Sequence, residues 1–298
     1  MDFRATIRMT DSGFTAPQPR LVSPTMDSGE FESFRQFLQD ACGIHLAENK
    51  QYLVTTRIRK ILQDNKLESL SALVDQLRRS RHSKLREQVV DAMTTNETFW
   101  FRDVHPYDYL QSTLLAEIQQ KPESGPIRIW SAACSSGQEP YSISMTVEES
   151  RRLNRLSSAR PVEIVATDLS ASMLQQAQAA EYDKMSVLRG LSSERREMFF
   201  DQLSDDVWRV KPFVRSRVQF RSLNLLDSYG GLGRFDVIFC RNVLIYFTGE
   251  LKQNILKRLH ASLKPNGVLV LGSSEGLGGA SDLFEMVHCK PGIMYRAR

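Results

Sequence analysis

The 298-residue chain has little of what marks several protein classes. Its four cysteines, Cys42, Cys134, Cys240 and Cys289, are far apart, with no C-x-x-C pair and no histidine at ligand spacing. That argues against a metal site or a disulfide scaffold and reads as free buried thiols in a reducing compartment. No apolar run approaches the roughly 20 residues of a membrane span, and the opening MDFRATIRMTDSGFTAPQPR lacks a signal peptide's apolar stretch. A cytoplasmic protein without membrane insertion is expected. A charge excess is missing as well: 39 Lys and Arg against 35 Asp and Glu leave +4, too little for whole-chain attraction to nucleic acid or membrane.

What is present is a globular composition, 41% hydrophobic and 25% charged, at a length that fits about two domains. Residues 1–26 carry Pro17, Pro19 and Pro24 without a hydrophobic period and read as a flexible tail. From Asp27 the spacing is helical: Phe31, Phe34 and Leu38, with Phe37 widening the stripe and Gly43 as a stop. The pattern recurs at Leu53, Ile58, Ile61 and Leu62, at Leu70, Leu73 and Leu77, and at Leu85, Val89 and Met93, which predicts a small helical domain over 27–98. Residues 99–125 read as a linker with a helix from Pro106 to Gln120. Beyond Pro126 strands and helices alternate: IRIW, VEIVATD, VQFRSLNL, FDVIFC and VLVLGSSE are separated by helical stretches. The fold class is therefore α/β, a doubly wound, mostly parallel sheet over 126–298, closed by an antiparallel FEMVH and GIMYRA hairpin. Residues 182–217 are too many for a connection and predict an inserted subdomain.

In such a sheet the ligand lies beyond the carboxyl ends of the strands, so the residues just after each strand carry the functional signal. After the first comes SAACSSGQE, Ser131 to Glu139, whose small residues let backbone N–H groups approach a ligand. It is not G-x-G-x-x-G, and an acid stands at Glu139, which disfavours a dinucleotide; a tight turn that merely permits packing is the plainer alternative. Asp168 ends VEIVATD, where a carboxylate can accept both hydroxyls of a ribose or simply cap the next helix. Asn224 and Leu225 end VQFRSLNL and suit an adenine edge and face, or a turn. Arg241 and Asn242 follow FDVIFC, with Tyr246 beyond, a combination that packing explains poorly. Outside the sheet, Asn96, Thr98 and Arg102 alternate with Phe99, Trp100 and Phe101, which suits either a pocket wall or an interdomain plug.

TTNETFWFRD, AACSSGQEPYS, ATD, NLL and FDVIFCRNVLIYF, in this order, resemble the chemotaxis-receptor glutamate methyltransferases, the CheR family, over about residues 27–298. The resemblance implies a helical N-terminal receptor-recognition domain and an S-adenosylmethionine-dependent methyltransferase domain with an inserted β-subdomain. It implies transfer of a methyl group to glutamates of the chemoreceptor cytoplasmic helical bundle, leaving S-adenosylhomocysteine. By matching positions, the cofactor contacts are Asn96, Thr98, Arg102, Glu139, Asp168, Asn224, Leu225, Arg241 and Asn242. Gln138 stands where many relatives have glutamate.

A sulfonium donor and a glutamate nucleophile already ionised at neutral pH need no general base, so a motif set without histidine is expected. Glu139 offers an anion to the methionine ammonium; Arg102, Arg241 and Tyr246 are the candidates to orient the substrate carboxylate. Between Lys50 and Arg86 ten basic residues meet three acidic ones, and Arg57, Arg59 and Lys60 are the expected receptor-facing group. A nucleic-acid methyltransferase would exploit the same charge, but no base-flipping loop or stacking platform is legible. A cofactor-sensing docking module without turnover would be expected to lack Arg102, Arg241 or Tyr246. In the insert, MFFDQLSDDVWRVKP has no glycine and two acids, Asp205 and Asp206, at its turn. The peptide-gripping loop of some relatives then looks shortened, and no C-terminal pentapeptide tether is expected.

Overall fold

The computed structural model describes residues 27–80, 83–122, 125–157 and 159–298. The expected tail, 1–26, and Arg81 of the basic segment lie outside them. Four helices, α1 (Ser28–Cys42), α2 (Gln51–Asp64), α3 (Leu70–Arg79) and α4 (Lys84–Met93), form the N-terminal domain. Their apolar stripes meet in one core of Phe31, Phe34, Leu38, Val54, Ile58, Leu73, Leu77, Val89 and neighbours. Serine hydroxyls cap two of them: Ser69 Oγ accepts the Ala72 N–H at 3.1 Å and Ser83 Oγ that of Arg86 at 3.2 Å. Gly43 ends α1 in the left-handed region at φ 77°, its N–H closing on the Gln39 carbonyl.

The expected linker is not a free connection. Trp100 and Phe101 are fully buried, and α5 (His105–Tyr109), a π-turn at Leu110–Leu114 and α6 (Leu115–Gln119) lay Leu110, Leu114, Leu115 and Ile118 on the sheet. The single helix read over Pro106–Gln120 is thus interrupted by one wide turn. Trp100 meets the insert edge-on, its ring 4.9 Å from Tyr182 and 5.1 Å from Phe200.

The large sheet follows in chain order: β1 (Ile127–Ala132), α7 (Gln138–Arg152), β2 (Val162–Asp168) and α8 (Ala171–Ala179). The insert then contributes β3 (Glu181–Asp183), α9 (Lys184–Leu188), α10 (Ser193–Phe199), β4 (Phe200–Gln202), β5 (Val207–Val210) and α11 (Pro212–Arg215), its strands forming a separate antiparallel sheet of order β3-β5-β4. The chain returns through β6 (Val218–Ser222), β7 (Phe235–Cys240), α12 (Gly249–Ala261), β8 (Leu263–Leu271), β9 (Phe284–Cys289) and β10 (Gly292–Ala297). The order is β6-β2-β1-β7-β8-β10-β9, parallel from β6 to β8. The terminal hairpin enters with β10, not β9, against β8. Side chains alternate between two covered faces: Ile129, Ile164, Val237 and Phe239 meet α5 to α7 and the insert, while Trp130, Val165, Ile238 and Leu269 meet α12. Successive strands step to opposite sides of β1, which opens a crevice at the carboxyl ends of β1, β2 and β7.

Candidate functional site

That crevice is a cavity of about 430 Å³, within the size range of small-molecule sites. Each expected cofactor residue lines it: Asn96, Thr98, Arg102, Glu139, Asp168, Asn224, Leu225, Arg241 and Asn242, together with Tyr246. The loop from β1 to α7 supplies its floor with an unusual backbone, Ala133 at φ 61°, Ser135 at φ 50° and Gly137 at φ 96°. Two residues with a Cβ in the left-handed region mark a loop held against its preference, as recurs at ligand sites. Asp168, 7% exposed, holds this loop to the next helix: Oδ2 accepts the Ser135 N–H at 2.7 Å and Oδ1 the Ser170 N–H at 2.9 Å. The helix cap is Ser170, whose Oγ accepts the Met173 N–H, so Asp168 is not needed for that purpose. Burial raises the Asp168 pKa, and the N–H groups of Ser170, Ser135 and Leu169 partly offset it.

Arg241 is the most enclosed cation of the site, its side chain 2% exposed. Nη1 donates to Glu139 Oε2 at 3.1 Å and to the Tyr107 hydroxyl at 3.3 Å; Nη2 donates to Asp103 Oδ2 and to the Arg102 carbonyl, both at 2.7 Å. Burial disfavours its charge, but Tyr107, Glu139 and Asp103 outweigh that and raise its pKa above the ordinary value. Its Nε is buried without a partner among the described residues. The guanidinium thereby restrains a strained segment, since Phe101, Asp103 and the β-branched Val104 all have φ between 50° and 67°. The other Glu139 oxygen accepts the Ser131 hydroxyl at 2.8 Å.

Arg102 is placed differently. Nη1 donates to the Glu97 carbonyl at 3.0 Å, the guanidinium lies 5.4 Å from the Phe99 ring centre, and among the described residues it forms no ion pair. Phe99 lines the cavity, whereas Trp100 and Phe101 belong to the core on the sheet side, so only one of the three aromatics serves the pocket. Asn96 joins the same wall, its carbonyl accepting the Ser135 hydroxyl at 3.0 Å.

The roof comes from the helical domain, which sequence patterns do not indicate. Cys42, Ile44, His45, Leu46, Lys50 and Arg57 line the cavity from above. The Asn224 amide, expected at an adenine edge, donates to the Ala41 carbonyl at 2.8 Å, and the His45 N–H donates to the Tyr246 carbonyl at 2.8 Å. Arg57 is also displaced from its expected surface role. It donates to the Met93 and Thr94 carbonyls, each at 3.0 Å, and so fastens α2 to the cavity wall, while Arg59 and Lys60 are exposed. The one local signal for this roof is Gly43, where a Cβ would sit 2.6 Å from Leu251 Cδ2.

The cavity fits S-adenosylmethionine in its donor set: an oriented carboxylate at the end of β2, a floor of strained backbone, apolar faces at Leu169, Leu225 and Phe247, and both signs of charge at Glu139 and Arg102. Comparison with known proteins agrees. Residues 96–293 match the model of the CheR methyltransferase S-adenosylmethionine-binding domain, and residues 29–94 that of the CheR methyltransferase all-alpha domain. The chain is 52% identical to chemotaxis protein methyltransferase Cher2 of Pseudomonas putida, over 90% of this chain and 98% of that one. It is 53% identical to chemotaxis protein methyltransferase 1 of Pseudomonas aeruginosa, over 91% and 98%. Against the chemotaxis protein methyltransferase of Vibrio parahaemolyticus the identity is 49%, over 93% and 100%. Cavity, cofactor fit and likeness over nearly the full length converge: the chain belongs to the CheR family of S-adenosylmethionine-dependent methyltransferases of chemotaxis.

Proposed function

We propose that this chain methylates glutamate side chains of the chemoreceptor cytoplasmic helical bundle, forming methyl esters. The observation that carries the reading is Arg102: a guanidinium in the cavity wall without an ion pair among the described residues, while the neighbouring Glu139 is already paired with Arg241. Such a cation suits an incoming carboxylate. When bound, S-adenosylmethionine supplies the electrophilic methyl group. Asp168 accepts the ribose hydroxyls, and Asn96, Thr98, Asn242 and the Asn224–Leu225 turn complete the cofactor contacts. Arg241 acts by positioning: it holds the Arg102 carbonyl and Asp103 and leaves Arg102 and Tyr246 to orient the carboxylate. No group needs to remove a proton, so water exclusion and alignment carry the rate. The roof residues Ile44 and Leu46 favour the first of these.

Arg59 and Lys60, exposed on α2, are proposed to meet the acidic bundle on the cytoplasmic side of receptor arrays. The enzyme is proposed to reach it without a C-terminal peptide tether, because only Leu203 to Asp206 separate β4 from β5 and two of these four are acids. Incubation with labelled S-adenosylmethionine and receptor cytoplasmic fragments tests the substrate: base-labile label on glutamate is expected. Label confined to nucleic acid, or base-stable label, would overturn the reading.

A further inference from the structure

At the carboxyl end of β8 lies a buried acid, the last residue of VLVLGSSE, that belongs neither to the motifs carrying the family resemblance nor to the cavity lining. Glu275 is 8% exposed, and each of its carboxylate partners is a backbone N–H: Oε2 accepts from Asn242 at 2.7 Å and Gly272 at 2.8 Å, Oε1 from Leu244 at 2.7 Å. Its own N–H donates back to the Gly272 carbonyl at 2.9 Å. Among the described residues it makes no ion pair. A carboxylate buried without a cation is tolerated where several N–H dipoles converge on it, and here they come from both loops where β7 and β8 part.

The geometry has one outlet. Asn242 and Leu244 belong to the turn that begins with Arg241 and ends with Tyr246, and Asn242 sits in the left-handed region at φ 58°. Gly272 is packed so closely beneath it that a Cβ would lie 2.7 Å from Asn242 Nδ2 and 2.8 Å from Glu275 Oε2. Nothing else described accepts the N–H groups of Asn242 and Leu244. We propose that Glu275 is a positioning residue for methyl transfer, whose carboxylate locks the Arg241–Tyr246 turn so that Asn242 faces the cofactor and Tyr246 the acceptor carboxylate. For Tyr246 this rests on the substrate reading above; for Asn242 it rests on cofactor binding alone.

Glu275→Gln keeps the shape but replaces one acceptor oxygen with an NH2 group, which must face at least one N–H. Glu275→Asp keeps both acceptors one methylene short and serves if the amide variant folds poorly. Hydrogen exchange read by mass spectrometry is expected to show residues 241–246 exchanging at least about ten-fold faster, with the rest of the sheet protected as before. Binding of S-adenosylhomocysteine is expected to weaken about five-fold or more, and kcat for methylation of a receptor cytoplasmic fragment to fall about 10–100-fold while its KM stays within about three-fold. Unchanged exchange and cofactor affinity would overturn the proposal. So would protection lost throughout β7 and β8 with a matching drop in thermal midpoint, the mark of a purely structural group. Failure of the unaltered chain to methylate the fragment would strike the substrate reading instead, and the exchange and binding arms would still decide the role of Glu275.

Discussion

Arg241 donates from both terminal nitrogens inside the protein, whereas Arg102 donates once to a carbonyl and otherwise lies against Phe99. Removing the first leaves Glu139 and Asp103 without their cation; removing the second leaves nothing buried and unpaired. Arg241→Met is therefore expected to destabilise the fold by about 3 kcal/mol in denaturant unfolding, the lower part of the range for a broken buried pair because Asp103 is partly exposed. Arg102→Ala is expected to stay within about 0.5 kcal/mol of the unaltered chain and to lower kcat about a hundred-fold. Equal destabilisation by the two would remove the distinction between positioning and substrate-facing arginines. Asp168 carries a second expectation. Asp168→Ala should weaken S-adenosylhomocysteine about ten- to a hundred-fold by calorimetry, since ribose hydroxyls lose a charged acceptor. Because burial raises its pKa, Asp168 takes up a proton at a pH where an ordinary aspartate is still charged, and cofactor affinity should fall as pH drops through that range. The same shift means that the unfolded chain ionises first as pH rises, so this group's share of folding stability declines on going up through the window. An affinity that is flat with pH, or the same fall in Asp168→Ala, would sink the assignment.

At the scale of elements, the strands were readable because each short apolar run stops at residues whose chemistry packing does not require: Asp168, Asn224, Arg241. Helix starts are capped by Ser69, Ser83, Ser170 and Thr248, and for the helix after β2 the serine takes the place that the sequence also allowed to Asp168. What local pattern could not reveal is any contact between distant segments. Neither the Asn224 amide on Ala41, 183 positions away, nor the Glu275 clamp on Asn242 leaves a periodicity to find. Aromatic residues were over-read for the same reason, since Trp100 and Phe99 look alike in sequence and face opposite ways in the fold. Two elements carry their own expectations. In α2, Arg59→Glu with Lys60→Glu should raise the KM for a receptor fragment and leave S-adenosylhomocysteine affinity unchanged, provided Arg57, which holds Met93 and Thr94, is left alone. Unaltered methylation kinetics would return α2 to a merely solvated face. In the insert, the turn Leu203–Asp206 should give an isolated receptor C-terminal peptide no grip. Micromolar or tighter binding, lost on changes in residues 198–212, would show that the tether operates after all.

Over the whole molecule, the helical domain and the sheet share one cavity, so docking of the first onto the second is expected to be coupled to closure around the cofactor. Gly43 is the place where this can be probed without touching a charged group. Its φ of 77° already costs a residue with a Cβ about 1–2 kcal/mol, and the added atom would meet Leu251 Cδ2 at 2.6 Å and Phe247 Cδ1 at 3.1 Å, both on the methyltransferase side. The helix that precedes Gly43 is held by its own core of Phe34, Phe37 and Leu38, so strain at this point is relieved more readily by lifting the roof than by melting α1. Lifting it would break the Asn224 bond to Ala41 and the His45 bond to Tyr246 together. Gly43→Ala is accordingly expected to weaken S-adenosylhomocysteine about 5–30-fold, the equivalent of that backbone cost, although the residue lies outside every cofactor motif. Hydrogen exchange should quicken over 41–47 and 243–247 in the same variant, with both domain cores still protected. If affinity holds while the helical core alone loses protection, the two domains fold side by side without coupling, and the roof is packing rather than part of the site.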